Sequence, residues 1–273
     1  DHCYEGGFTA GQGVGIEFMT TPWLQYEAYY IRVANNVIHD IYGAGLGVNG
    51  GLNVTMANNT LYRIGARSHL VEFVYGGHAC DGDTAGCSAM LAAGGWGPRT
   101  GTNDDFTRIP NRNVSLVNNV FYNPAGYQSQ WQHFEVNAPF SSTSQSSSHA
   151  PNPAKADDNL YIRGNVIWNG PTNHELGVDG SGGCANSNPT CNPTILRQYN
   201  TINAREPQFV NAAAGDFRPL PGGNISGYQT ASIPAFLSEA PLSIPLGTLD
   251  TSVPVDRAGA LRGATPVVGA YLP

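Results

Sequence analysis

The chain has 273 residues, which fits one elongated domain; 41% hydrophobic residues suffice for a core, while 12% charged residues with 34 Gly and 19 Pro favour a turn-rich β protein over a helical one. A formal net charge of −7 supplies no basic footprint for nucleic acid, and of 13 basic residues only Lys155 is a lysine. No apolar run reaches the length of a membrane-crossing helix, so neither nucleic acid nor a membrane span is expected.

The chain opens on DHCYEGGFTAGQ (1–12), which reads as a loop rather than as a cover for the first turn. Asp1 is no natural initiator, so the chain is expected to be processed, trimmed or numbered from a fragment. GIEFM (15–19) then begins a series of alternating strands. The phrase YIRVANNVIHDIYGAG (30–45) comes next, and it recurs as NVTMANNTLYRIGARS (53–68), NVSLVNNVFYNPAGYQ (113–128) and LYIRGNVIWNGPT (160–172). Each copy alternates apolar and polar residues, reaches an asparagine and continues into a second apolar run. Asn36, Asn59, Asn119 and Asn165 hold the same place in the phrase, and Asn200 in LRQYNTIN is a weaker fifth. Asn36 and Asn59 are 23 residues apart, about one turn of a parallel β-solenoid. At a turn, stacked asparagines would form a ladder, each amide bonding its neighbours, because Asn tolerates left-handed backbone and bonds locally.

After each phrase comes an alternating strand: GLGVN (45–49), HLVEFV (69–74), QWQHFEV (130–136) and ELGVDG (175–180). Alternation sends Ile16/Phe18, Leu46/Val48, Val71/Phe73, Phe134/Val136 and Leu176/Val178 inward. The later asparagine spacings of 60, 46 and 35 residues exceed one turn. Each excess falls just after one of these strands, at about 76–112, 138–158 and 180–193, so the inserted loops gather on one face. Cys80 and Cys87 close CDGDTAGC in the first loop, and Cys184 and Cys191 close CANSNPTC in the third. Neither spacing suits zinc; two local disulfides predict an oxidising, extracellular or cell-surface setting, with Cys3 left over. Sequons at Asn53, Asn58, Asn113 and Asn224 would permit glycosylation. From about 204 the repeat fades, and EPQFVNAAAGDFRPLPGG through VDRAGALRGATPVVGAYLP reads as a segment covering the last turn. The chain therefore divides into turns over 1–203 and a C-terminal covering segment over 204–273.

The asparagine phrase, the one-sided loops and the PQFV…GDFR…GAY ending resemble the right-handed parallel β-helix superfamily, the pectate-lyase-like fold. The resemblance covers about 13–220, and the ending is similar to that of bacterial extracellular β-helix proteins. It implies an all-β solenoid, and a family that spans polysaccharide lyases, hydrolases, epimerases, tailspikes and non-catalytic surface proteins. It does not fix function. The lyase branch with a catalytic Lys–Arg pair matches poorly, since Lys155 sits in a low-complexity loop.

Aligning the strands on Val48, Phe73, Phe134 and Val178 sets Glu17, Gly47, Glu72, His133 and Gly177 in one outward column. Asn49, Val74, Glu135 and Asp179 form the next column, with rungs about 4.8 Å apart. Glu72, His133, Glu135, Asp179 and Arg67 are then the catalytic candidates: paired carboxylates beside a base suit acid/base work on a glycan. His69, Gln130, Gln132, Trp131 and Trp96 would bind it, the rings by stacking on sugar, and Gly47 and Gly177 would leave open floor. Asp81 and Asp83 would hold Ca²⁺ if a uronate carboxylate must be neutralised, although the calcium-loop pattern DxDxDG is absent. Against each assignment stands an ordinary surface ion pair or turn cap. Two functions are therefore expected as alternatives. One is an extracellular carbohydrate-directed protein, a lyase or hydrolase acting on an acidic or cell-wall-type polysaccharide. The other is a non-catalytic structural, filament or surface protein whose first turn docks on another domain or a second copy.

Overall fold

In the computed structural model, residues 8–10, 28–74, 76–78, 107–109, 111–136, 159–170, 174–177, 190–238 and 249–273, with 85, 89 and 184, are described. Among them the chain is predominantly β, and three sheets are wholly parallel. Sheet A holds Phe8–Ala10, Leu46–Asn49, Val71–Val74 and Phe134–Val136, paired in that order. Sheet B holds Ala28–Ala34, Gly51–Ala57, Arg112–Val117 and Tyr161–Arg163. Sheet C holds Val37–Ile41, Thr60–Ile64, Val120–Asn123, Val166–Asn169 and Thr201–Ile202. From Ala28 the chain visits B, C and A in rotation, so each strand pairs with the one a full circuit away.

Like residues therefore stack on like. Val33, Met56, Leu116 and Ile162 form one inward column of sheet B. Ile38, Leu61, Phe121, Ile167 and Ile202 form the column of sheet C. In sheet A, Leu46, Val71 and Phe134 lie in line, and Val48, Phe73 and Val136 beside them. These columns meet in one core, as the alternation predicts for 46–48, 71–73 and 134–136. Leu176 is also buried, while Ile16, Phe18 and Val178 lie outside the described residues. The register corrects the sequence alignment: Phe134 pairs with Val71, not Phe73. A slip of two residues keeps every side chain on its own face, so the hydrophobic pattern cannot distinguish the two pairings.

The corner between sheets B and C carries the expected asparagine ladder. Asn36, Asn59 and Asn119 each donate from backbone N and from Nδ2 to the Oδ1 of the next asparagine at 2.9–3.0 Å. Asn165 does the same to Asn200 at 2.9 Å, so the weak fifth copy is a full member. The left-handed residue is the one before each ladder asparagine: Asn35, Asn58 and Asn118 have φ of 59°, 54° and 56°, and Gly164 has 69°. This division of labour explains the doubled asparagine in ANN, ANN and VNN, since Asn adopts that φ at little cost and the second Asn is the rung. At the far end of sheet C a shorter ladder runs through Asn123 and Asn169. Asn123 Nδ2 donates to Asn169 Oδ1 at 3.0 Å, and the Asn169 backbone N donates to Asn203 Oδ1 at 2.7 Å.

The connection from sheet A to sheet B is where the chain lengthens, from the single Gly50 to the stretches 75–111 and 137–160. Gly76–His78 and Thr107–Ile109 pair as an antiparallel ribbon at the base of the first stretch. Cys184 and Cys191 are disulfide-bonded and buried, while Cys3, Cys80 and Cys87 fall outside the described residues. The helix Pro193–Tyr199, capped by Asn192, comes directly after that disulfide and seats Leu196 in the core beside Ile162. Gly164 N donates to Tyr199 O at 2.7 Å, so this helix stands where sheet B would receive its next strand.

The C-terminal segment packs against several circuits of the sheets. Its described residues bond to sheet B and to the B–C corner in the first three circuits from Ala28. Asn35 Nδ2 donates to Val255 O at 2.7 Å, Asn53 Nδ2 to Leu237 O at 2.8 Å and Asn118 Nδ2 to Ala231 O at 2.8 Å. Asn58 Nδ2 donates to Val267 O, and Ala270 N to Thr60 Oγ1 at 2.9 Å. Arg262 ties the strap to itself and to Asn35 Oδ1 at 2.9 Å. Two sequons are consumed by this contact: Asn53 and Asn58 are 1% and 3% exposed with their amides bonded, so neither can carry a glycan in the folded chain.

Candidate functional site

Sheet A presents Gly47, Glu72 and Glu135 in one outward line, because Val71/Phe73 and Phe134/Val136 take the inward positions. Glu72 and Glu135 thus sit on adjacent strands, one rung apart. Between their carboxylates stands His69: Nδ1 lies 3.3 Å from Glu72 Oε1 and Nε2 3.5 Å from Glu135 Oε2. Ser68 Oγ donates to the same Glu72 Oε1. The imidazole is 11% exposed, Glu72 29% and Glu135 39%, so the group opens toward solvent on the Glu135 side.

The corner from sheet C to sheet A delivers His69. Gly65 has φ of 77°, and a Cβ there would lie 2.7 Å from His69 O, so only glycine permits this turn. The next circuit stacks on that corner: Gln130 N donates to Gly65 O at 2.9 Å and Trp131 N to Ser68 O at 3.3 Å. This contact brings the Trp131 indole to 5.2 Å from the His69 ring, tilted by 48°. Trp131 is 47% exposed and forms a flat apolar shelf beside the charged group.

The bond from His69, followed by that from Ser68, holds Glu72 below the usual carboxylate range, against the opposing effect of burial. Glu72 therefore stays ionised while its neighbour Glu135, more open to water, faces the other imidazole nitrogen. An ionised carboxylate, an imidazole and a second carboxylate in series are the parts of an acid/base site.

The predicted residues fare differently. Glu72, Glu135, His69 and Trp131 come together. His133 does not join them: it is 2% exposed and turns inward at the corner, its Nδ1 3.3 Å from Asn169 Nδ2 and its Nε2 3.4 Å from Asn203 Nδ2. Burial, then the nearby His174 and Arg197, push its pKa down to about 4, so it is a neutral buried imidazole. Alternation would place it outward, but the strand begins at Phe134, and the bend before it reverses the side chain. Arg67 is exposed at the same corner as His69, its guanidinium 5.3 Å from the Tyr42 ring centroid. Gln130 is exposed, and Gln132 is half-buried under Gly177. Gly177 is no open floor: with φ of 79°, its Cβ would lie 1.9 Å from Phe134 O, so close backbone approach demands it. Asp81, Asp83, Trp96 and Asp179 lie outside the described residues. Among the described residues, no group of three or more His, Cys, Asp or Glu is arranged to hold a metal.

Sequence reasoning underrated His69 and missed Ser68. The signal was present in SHLVE, where Ser68 precedes Glu72 by four residues and His69 by three, but the corner geometry that folds both back onto the strand was not. Compared with protein-family models, curated proteins and solved structures, the chain has no match.

Proposed function

We propose that this is an extracellular, carbohydrate-directed protein with the right-handed parallel β-helix fold, and that it cleaves glycosidic bonds on the open face of sheet A. The solenoid reading is supported by the rotation of the chain through three parallel sheets and by the five-rung asparagine ladder. The disulfide Cys184–Cys191 supports an oxidising compartment. One observation carries the chemistry: two carboxylates in register on adjacent strands, joined through an imidazole and flanked by a half-exposed indole.

In this reading the glycan lies across sheet A with one ring on Trp131. Glu135 gives its proton to the glycosidic oxygen, and the bond to the anomeric carbon breaks. Glu72, kept ionised, takes a proton from the water that attacks that carbon. His69 then passes the proton from Glu72 back to Glu135, restoring both for the next cycle. A calcium-assisted elimination would draw on Asp81 and Asp83 instead.

The test is incubation with a panel of acidic and neutral polysaccharides, with and without calcium, following new reducing ends and unsaturated-uronate absorbance together. Reducing ends without unsaturation are expected. Calcium-dependent unsaturated product would replace hydrolysis by elimination. A non-catalytic surface or filament protein is the second reading, favoured by the engagement of both imidazole nitrogens, as in a plain surface ion-pair network. No product from any member of the panel would favour it.

A further inference from the structure

A concave surface lies on sheet C, away from the carboxylate pair. It is a groove of about 610 Å³, within the size range of small-ligand sites. Its floor is the outward column of sheet C, where register stacks Tyr62 on Tyr122 with ring centroids 5.5 Å apart. One wall is the corner Pro124–Tyr127, closed by Tyr127 N donating to Pro124 O at 3.0 Å. The other is formed by 206–209, 211–213 and Leu220, which draw on Phe209 and Asn211 of the antiparallel ribbon that Phe209–Asn211 makes with Asp216–Pro219. That ribbon is docked by Phe217 on Tyr62 at 5.3 Å and by Phe209 on Tyr122 at 5.9 Å.

The groove combines aromatic faces with polar groups. Tyr127 is 50% exposed at the rim. Arg63 lies between two rings, 4.5 Å from Tyr127 and 4.7 Å from Tyr62, and pairs with Asp40 at 3.2 Å. The cationic place among the tyrosines is thus already filled by the protein's own guanidinium, which disfavours a cationic ligand. The lining carries one cation, Arg63, and one carboxylate, Glu206, so it is neutral in sum; Arg63 is already paired with Asp40, and Glu206 accepts from Tyr122 Oη at 2.7 Å. A uronate or phosphate would have to compete with Asp40 for that guanidinium, which disfavours an anionic ligand. A neutral pyranose suits exposed aromatic rings edged by a carboxylate acceptor, with an apolar face for the rings and hydroxyls to donate.

We propose that this groove is a second glycan-binding site, selective for neutral pyranose units, which holds polymer on the protein independently of the sheet A site. It extends the carbohydrate-directed reading but does not depend on cleavage. Isothermal titration with neutral hexasaccharides of β-1,4-linked glucose, mannose and xylose, and with a hexauronate, would test it on the wild type, Tyr127→Ala, Glu206→Gln and Trp131→Ala. Tyr127 is a rim residue, so its removal should leave the circular dichroism unchanged and confirm folding. The expected result is binding of at least one neutral hexasaccharide, a rise in Kd of about tenfold in Tyr127→Ala and a smaller rise in Glu206→Gln, with none in Trp131→Ala. The hexauronate should not compete for this site. Absence of neutral binding to the wild type, an unchanged Kd in Tyr127→Ala, or a loss that tracks Trp131→Ala instead would overturn the proposal. Neutral binding that survives in a protein without cleaving activity would sustain the groove while removing the sheet A chemistry.

Discussion

Two of the three corners of each circuit obey opposite rules. Between sheets B and C the chain turns in the same way every time, with a left-handed residue and then a ladder asparagine. Between sheets C and A the corner grows from 42–45 to 65–70 to 124–133, and it is there that His69 and Trp131 are placed. A ladder gains from identity, because each rung bonds the one above it and any change breaks two contacts. A reactive group gains from difference, because a base, an acid and a stacking surface must be unlike. Repetition in this chain marks support, and its failure marks the place proposed for chemistry.

The largest test of that contrast is Asn119→Ala. It deprives the backbone N and Nδ2 of Asn59 of their acceptor, and Met56 O of a donor, in a fully buried place. Leaving two such donors unpaired should cost about 4 kcal/mol in chemical denaturation. Asn36→Ala, at the half-buried end of the ladder, should cost only about 1 kcal/mol. Equal costs would mean that the rungs do not act as a ladder.

Next in size is the pH dependence set by His133. Its folded pKa of about 4 lies below the ordinary value of 6.5, so the unfolded chain binds more protons between those limits. Stability is therefore complete above pH 6.5 and is lost as pH falls toward 4, by on the order of 3 kcal/mol. His174 and Arg197 face the same ring and add to the cost of charging it. Glu72 and Asp256, whose carboxyls are held low, lose their share in a lower window. His133→Gln should flatten the profile between pH 6.5 and 4; an unchanged slope there would assign the effect elsewhere.

The smallest expected effect is at the variable corner. Trp131→Ala should raise KM for a cleaved polymer about tenfold, with kcat and the unfolding midpoint unchanged, because a half-exposed ring contributes little to packing. A large drop in stability would instead make Trp131 part of the framework.

The sequence reveals the parts governed by repetition. Asn36, Asn59, Asn119, Asn165 and Asn200 are legible because they recur at one place in a phrase, and the inward columns because alternation is local. The pairing of Phe134 with Val71 was not legible, since hydrophobic pattern is blind to a shift of two residues. Nor was the reversal of His133, whose partners Asn169 and Asn203 lie 36 and 70 residues away. The path of the C-terminal strap depends on lone contacts such as Ala231 with Asn118 and Leu237 with Asn53, which obey no period.

The most direct test of the central claim compares the wild type with Glu72→Gln, Glu135→Gln and His133→Gln on the best-cleaved polysaccharide, at pH 7 and with matched unfolding midpoints. Loss of either outward carboxylate should lower kcat by at least about a hundredfold, as removal of an acid or base does, while His133→Gln retains activity. Equal rates in all four proteins, or a loss confined to His133→Gln, would contradict the placement of the chemistry on the open face of sheet A.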